Sequence, residues 1–136
     1  MMSMDAMKQI LRKGRAPGMG NRSVILRKRN CRQGPDGPHH REDAYIVFAV
    51  VNPGTPETRK LLPAEYRGQQ HIVIYTEESV SAGGGEICRV SLLPDLVEVD
   101  GRCWRVVRAW ENREPAFYRA LAVPDKTAPC FRPGKA

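Results

Sequence analysis

Apolar residues along this chain gather into short dense runs, separated by polar stretches in which Gly and Pro are frequent. Residues 45–51 (Tyr45, Ile46, Val47, Phe48, Ala49, Val50, Val51) form a continuous apolar run ended by Asn52-Pro53-Gly54. Seven residues rich in β-branched and aromatic types is the length and composition of a strand. Residues 70–76 alternate, with Ile72 and Ile74 on one face and His71, Val73 and Tyr75 on the other, which predicts a second strand. The sharpest local signal lies in residues 96–110, where Asp100-Gly101 separates two β-rich runs. Asp-Gly suits a two-residue hairpin turn, because both central positions need positive φ. That turn sets Val99 opposite Arg102 and Val97 opposite Trp104, and places Val97, Trp104 and Val106 on one side.

Weaker patterns fill in the rest. Residues 22–29 carry Val24, Ile25 and Leu26 between basic side chains, as an edge-like strand would. Residues 87–93 and 117–123 read as further strands, and residues 57–62 as a single helical turn after Pro56. Residues 30–43 are polar and contain Gly34-Pro35, Gly37-Pro38 and His39-His40, which predicts a long exposed loop. Gly83-Gly84-Gly85 predicts a mobile tip within residues 77–86. Near the N-terminus, Met4, Met7, Ile10 and Leu11 recur at helical spacing over residues 3–13, with Ser3 as cap and Gly14 as stop. Five or six strands, one short helix and no βαβ alternation imply a mainly β chain. The expected fold is a small antiparallel β-barrel or sandwich with a short N-terminal helix and an extended basic arm. The expected organisation is a helix, basic arm and long loop over 1–44, a β body over 45–124, and a Pro-rich tail over 125–136.

Length and composition fit this picture. A chain of 136 residues is the size of one domain. Neither a secretory leader nor an apolar run long enough to span a membrane is expected from residues 1–15 or elsewhere. Cys31, Cys88, Cys103 and Cys130 are widely spaced with no C-x-x-C pair, which suits reduced thiols better than a zinc site or a disulfide scaffold.

The formal net charge is +7, and it is unevenly placed. Residues 1–44 hold ten Lys/Arg against four Asp/Glu, while residues 45–124 hold nine against ten. A basic arm on a neutral body suits contact with nucleic acid or an acidic protein surface. Arg27, Lys28, Arg29 and Arg32 form the cluster best suited to that contact.

Chemistry is sparse. His39 and His40 are adjacent and point apart in extended chain, so they do not chelate as an i, i+4 pair would. His71 sits alone on a strand. The triple glycine lacks the Gly-Lys-Ser/Thr ending of a phosphate-cradling loop. No catalytic, cofactor or metal set can be assembled, so the expectation is a structural protein without enzymatic activity, cofactor or metal.

Two stretches resemble small neck proteins of tailed bacteriophages. One is AVVNPGTPETRKLLPAEYRGQQHIVIYT, residues 49–76. The other is PDLVEVDGRCWRVVRAW, residues 94–110, followed by Phe117-Tyr118-Arg119-Ala120. In this family a strand leads through a Thr- and Pro-containing segment and a Leu-Pro step to a strand ending near Tyr-Thr. A later Asp/Asn-Gly-Arg hairpin is followed by an aromatic, a valine pair, Trp, and a Phe/Tyr-Tyr-x-Ala ending. Asp100, Gly101, Trp104, Trp110 and Tyr118 match its fold-defining positions. The triple-glycine loop and Cys103 depart from it, and residues 1–44 have no counterpart.

The resemblance implies a head-closure, stopper or collar subunit of the virion neck, assembled in the host bacterial cytoplasm. Such a subunit forms a ring with copies of itself between a portal or adaptor protein and a tail-tube or tail-terminator protein, away from any membrane. Genomic DNA passes through the channel without sequence specificity. Met4, Met7, Ile10 and Leu11 would then contact a neighbouring subunit, and Arg27, Lys28, Arg29 and Arg32 the DNA or an acidic partner. A basic nucleic-acid-binding β-barrel is the alternative.

Overall fold

A computed structural model describes residues 21–84, 86–87, 90–112 and 117–129. The expected helix over residues 3–13, with Met4, Met7, Ile10 and Leu11, lies outside the described residues, as do Cys88 and Cys130. Within them the strands are β1 (Asn21–Gly34), β2 (Gly37–Pro53), β3 (Ile72–Thr76), β4 (Glu86–Ile87), β5 (Val90–Leu92), β6 (Leu96–Val99), β7 (Arg102–Asn112) and β8 (Phe117–Pro124). A one-turn helix α1 (Pro56–Arg59) and a 3-10 turn (Ala64–Tyr66) lie between β2 and β3.

All pairings are antiparallel, and the order β2-β3-β8-β7-β6-β1 closes because β1 also pairs with β2. The result is a six-stranded barrel, the closed one of the two expected architectures. The apolar faces seen in the sequence point inward. Val24, Leu26, Val47, Ala49, Val51, Ile72, Ile74, Val97, Val99, Trp104, Val106, Ala120 and Ala122 make the interior core. A second cluster lies outside the wall on β3, β7 and β8. There Leu62, from the segment between β2 and β3, covers Val73, Leu121 and Val123, flanked by Leu61, Tyr66, Tyr75 and Trp110.

The hairpin at Asp100-Gly101 forms as its chemistry requires. Asp100 has φ 52° and Gly101 φ 77°, and Val99 pairs with Arg102 and Val97 with Trp104. Asp100 also ion-pairs with Arg22 at the start of β1. A bulge at Val107 shifts the β7–β8 register, pairing Val106 with Ala122 but Arg108 with Leu121. It keeps Ala109 against the core while Trp110 packs on the outer cluster.

Four expectations require correction. Residues 30–43 are not a loop: β1 and β2 stay paired to Gly34↔Gly37, with only Pro35 and Asp36 in the turn. Beyond the barrel wall most side chains of this hairpin are exposed or half-buried and Cys31 alone of its apolar residues is buried, so no apolar alternation announces the strands. Consequently the boundary expected at 44/45 falls inside β2, and Val24 and Leu26 belong to the core rather than to an arm. Nor is β1 an edge, since it pairs with both β2 and β6. The strand expected over 87–93 is two short ones, β4 and β5, with Val90–Leu92 alongside Asn30, Cys31 and Arg32 of β1.

The glycine-rich segment is also held where it is described. Gly83 donates to the Ser81 hydroxyl and Gly84 to the Leu92 carbonyl. A Cβ on Gly83 would come within 2.6 Å of the Pro94 nitrogen. That close approach, together with φ 78°, explains the glycine.

Candidate interaction surfaces

The basic cluster singled out in the sequence is largely engaged within the fold. Arg27 is buried: Nη2 and Nε lie 2.8 and 3.0 Å from Glu42 Oε1, and Nη1 lies 3.4 Å from Glu98 Oε2. Nη1 also donates to the Pro129 carbonyl at 2.6 Å, which fastens the segment after β8 across β1 and β6. Burial alone would lower the Arg27 pKa, but the bond to Glu42 and the nearby acidic groups outweigh it and hold the guanidinium firmly charged. Lys28 Nζ is 2.8 Å from the buried Asp95, and Arg29 donates twice to the Pro94 carbonyl. Only Arg32 of the four is exposed with no bond of its side chain among the described residues.

Asp95 acts as a clip. Besides Lys28, its Oδ2 accepts from the Ser81 amide at 2.8 Å. Its own amide donates to the Ser81 carbonyl, and its carbonyl accepts from Val106. Burial raises its pKa despite the opposing bonds from Lys28 and Ser81. Neither Asp95 nor Glu98 was singled out in the sequence. A carboxylate beside strand residues is an ordinary surface pattern, and only folding brings the covering segments over it.

His71, expected as a surface or partly buried strand residue, is 3% exposed. Its Nε2 lies 2.7 Å from the Thr58 hydroxyl, and Thr58 forms a capping box with Thr55 at the start of α1. Its carbonyl accepts from Gly54. Burial, with Arg59 adding to it, lowers the His71 pKa. The unfolded chain therefore binds a proton that the native state resists, so the stability His71 contributes is complete above about pH 6.5 and falls as pH drops below it. Urea unfolding at pH 7.5 and 5.5 should show this loss, with a slope of at most about 1.4 kcal/mol per pH unit. His71→Gln should flatten it, and an unchanged slope in that variant would assign the effect elsewhere.

His39 and His40 sit on the projecting hairpin opposite Arg32 and Cys31. Cys31 and Cys103 are buried and are not joined in a disulfide. Among the described residues no group of three His, Cys, Asp or Glu could hold a metal. None of their helices is long and apolar enough to cross a membrane.

Two surfaces stand out. The first is the outer face of β1–β2. The outer wall at β3–β8–β7 lies under Leu61, Leu62 and Tyr66, and Arg27 on β1 lies under the segment ending at Pro129. Among the described residues no such cover lies over Ile46 and Phe48, which are 80% and 53% exposed, and Tyr45 next to them is half exposed. Ile25 stands directly opposite Ile46. Over residues 45–47 no described strand pairs with the second edge of β2, because β3 pairs only with Ala49 to Pro53 and its Thr76 hydroxyl reaches the Phe48 carbonyl. The polar part of that edge carries Arg41, Glu42 and Asp43, charges that discourage stray strand pairing. The sequence does not mark this face, since residues 45–51 are an unbroken apolar run with no alternation to tell one side from the other.

The second surface is the barrel end where β2, β6 and β8 finish and β3 and β7 begin. A hollow of 590 Å³ there is lined by Arg102, Arg105, Lys126, Gln69, Gln70 and residues 124, 125 and 127. A neighbouring hollow of 490 Å³ is lined by Arg59, Lys60, Arg67 and residues 54–56. Further along β7, away from that end, the guanidinium groups of Arg108 and Arg119 lie 5.1 and 4.5 Å from the Trp110 ring centroid. The chain matches no family model and no curated protein.

Proposed function

We propose that this chain is a structural subunit of a tailed-bacteriophage virion neck. In this reading it joins a portal or adaptor complex to the tail as one member of a ring around the DNA channel. The observation that carries the reading is the run of exposed apolar side chains at Tyr45, Ile46 and Phe48, beside an edge of β2 that β3 leaves unpaired before Phe48. A monomeric fold gains nothing from displaying these groups. A subunit that packs side by side with its copies buries them, at roughly 1.5–3 kcal/mol for each large side chain. Identical copies joined head to tail through such a face close into a ring when the rotation allows. The projecting β1–β2 hairpin supplies the reach toward a neighbour. The residue pattern shared with neck proteins over 49–76 and 94–120 supports the same reading. The alternative, a nucleic-acid-binding barrel, would have to use cations other than Arg27, Lys28 and Arg29, which are already bonded within the fold.

Electron microscopy of the purified chain mixed with the portal and adaptor proteins of the same phage tests the proposal. The expected result is a closed ring in the mixture, and a protein that stays monomeric beside those partners defeats it. Ile46→Glu with Phe48→Glu should abolish ring entry. Because both side chains are exposed, the unfolding free energy should change by no more than about 0.5 kcal/mol per substitution.

A further inference from the structure

The 590 Å³ hollow at the barrel end is lined by three cations, Arg102, Arg105 and Lys126, against one carboxylate, Asp125. That carboxylate is already occupied. Asp125 Oδ1 accepts from the Thr127 amide at 2.9 Å, the Thr127 hydroxyl at 2.8 Å and the Ala128 amide at 3.1 Å. Burial would raise its pKa, but these bonds and the nearby Arg105 outweigh it, so the group stays ionised and tied into its own turn.

The cations are held in a different way. The Arg105 guanidinium lies 5.5 Å from the Tyr66 ring centroid, and that of Arg102 lies 5.1 Å from the Trp104 ring. Stacking on an aromatic face fixes the plane of a guanidinium without using its N–H groups, and the in-plane fork stays available to a bidentate acceptor. Among the described residues the Arg105 Nε is shielded from solvent and has no hydrogen-bond partner. Desolvated donors without a partner are costly, so Arg105 stands beside the hollow with hydrogen-bonding capacity that no described residue uses. Among the described residues, the side chains of Arg102 and Lys126 likewise donate to no protein group. The neighbouring hollow differs, because Arg67 there bonds the Leu62 and Lys60 carbonyls while Arg59 and Lys60 are exposed.

We infer that Arg102, Arg105 and Lys126 form a binding site for a phosphate group, with the Gln69 and Gln70 amides on its rim. Two stacked guanidinium forks and an ammonium around one hollow match the several oxygens and the dianionic charge of a phosphate better than a single carboxylate. Among the described residues no aromatic face is open beside it for a base to stack on: Trp104 is buried and Tyr66 lies under Arg105. The site therefore recognises the phosphate rather than a nucleobase. The inference does not depend on the neck reading.

The test uses the full chain and three probes: inorganic phosphate, pyrophosphate, and a short DNA duplex of arbitrary sequence. Nitrogen-15 NMR of the arginine side chains should show the Arg105 Nε–H resonance shifting with saturation on addition of at least one probe, with chloride as the control. Saturation by phosphate or pyrophosphate identifies a small-anion site. Saturation by the duplex alone, with strong salt dependence, identifies backbone phosphates as the source. Either outcome supports the site.

The double variant Arg102→Gln/Lys126→Gln changes only exposed positions, so it should fold and still bind roughly tenfold or more weakly. A full-strength response in this variant overturns the assignment. So does the absence of any Arg105 shift with all three probes. Arg32→Gln, on the distant hairpin, should leave binding unchanged. Binding lost there would place the phosphate contact on the hairpin instead, and binding lost on neutralising Arg12, Lys13 and Arg15 would place it on the N-terminal segment; either overturns the assignment.

Discussion

Replacing Arg27 by methionine should lower the free energy of unfolding by about 3–5 kcal/mol, the cost of removing one partner from a buried ion pair. Methionine keeps much of the volume and the apolar stem, so the loss reports charge rather than a cavity. What remains is Glu98, whose side chain is 6% exposed, without the guanidinium 3.4 Å away, and Glu42 without its bonds at 2.8 and 3.0 Å. The bond from Nη1 to the Pro129 carbonyl goes as well, so the segment after β8 should loosen and become cleavable by trypsin after Lys126. Urea unfolding followed by fluorescence measures the stability change. Adding Glu98→Gln to Arg27→Met should restore a substantial part of it, because a neutral amide is far cheaper to bury than a carboxylate. A single-variant loss below about 1 kcal/mol would mean that the pair is solvated and not the clasp described above.

Gly54→Ala is the second large effect, and it does not arise from backbone conformation. Gly54 is not among the residues with positive φ, so alanine is sterically allowed in that backbone. The obstacle is the His71 ring: an added Cβ would lie 2.3, 2.4 and 2.5 Å from its Cε1, Nε2 and Nδ1. That ring has little freedom to retreat, because Nε2 is bonded to Thr58 and the His71 carbonyl holds the Gly54 amide. A cost of about 2–3 kcal/mol is expected, at the upper end of what overpacking a rigid site produces. The double-mutant cycle is decisive. In a His71→Ala background the same Gly54→Ala change should cost less than about 1 kcal/mol, leaving a coupling of at least about 1.5 kcal/mol. Additive effects would show that the two positions do not touch.

The barrel was legible because its interior is written in a period of two. Val97, Trp104 and Val106 share a face once Asp100-Gly101 sets the register, and Ile72 and Ile74 share one by alternation. The hairpin turn was legible for a local reason: positive φ at two adjacent positions admits few residue types. The projecting half of β1–β2 was not, since strands whose side chains are mostly exposed or half-buried carry no apolar alternation. Residues 45–51 lack it for the opposite reason. An unbroken apolar run does not tell one side from the other, yet Val47, Ala49 and Val51 point inward while Ile46 and Phe48 stand in solvent. The candidate phosphate site was not legible either. Arg102 and Arg105 meet Lys126 only because β7 pairs with β8, and their donors stay free only because Trp104 and Tyr66 hold the planes.

The chain's local pattern was enough for the tight turn, the strands that follow an apolar alternation and much of the barrel interior. Those properties depend on each residue's immediate neighbours and on the alternation of the β backbone. Only the tertiary structure decided which charges are consumed and which remain available. Arg27 and Arg105 read alike as basic residues near apolar ones, yet one is clasped by two carboxylates and the other has a desolvated donor with no partner among the described residues. Electrostatic pairing depends on distances between segments far apart in the chain, and a one-dimensional pattern carries no record of them.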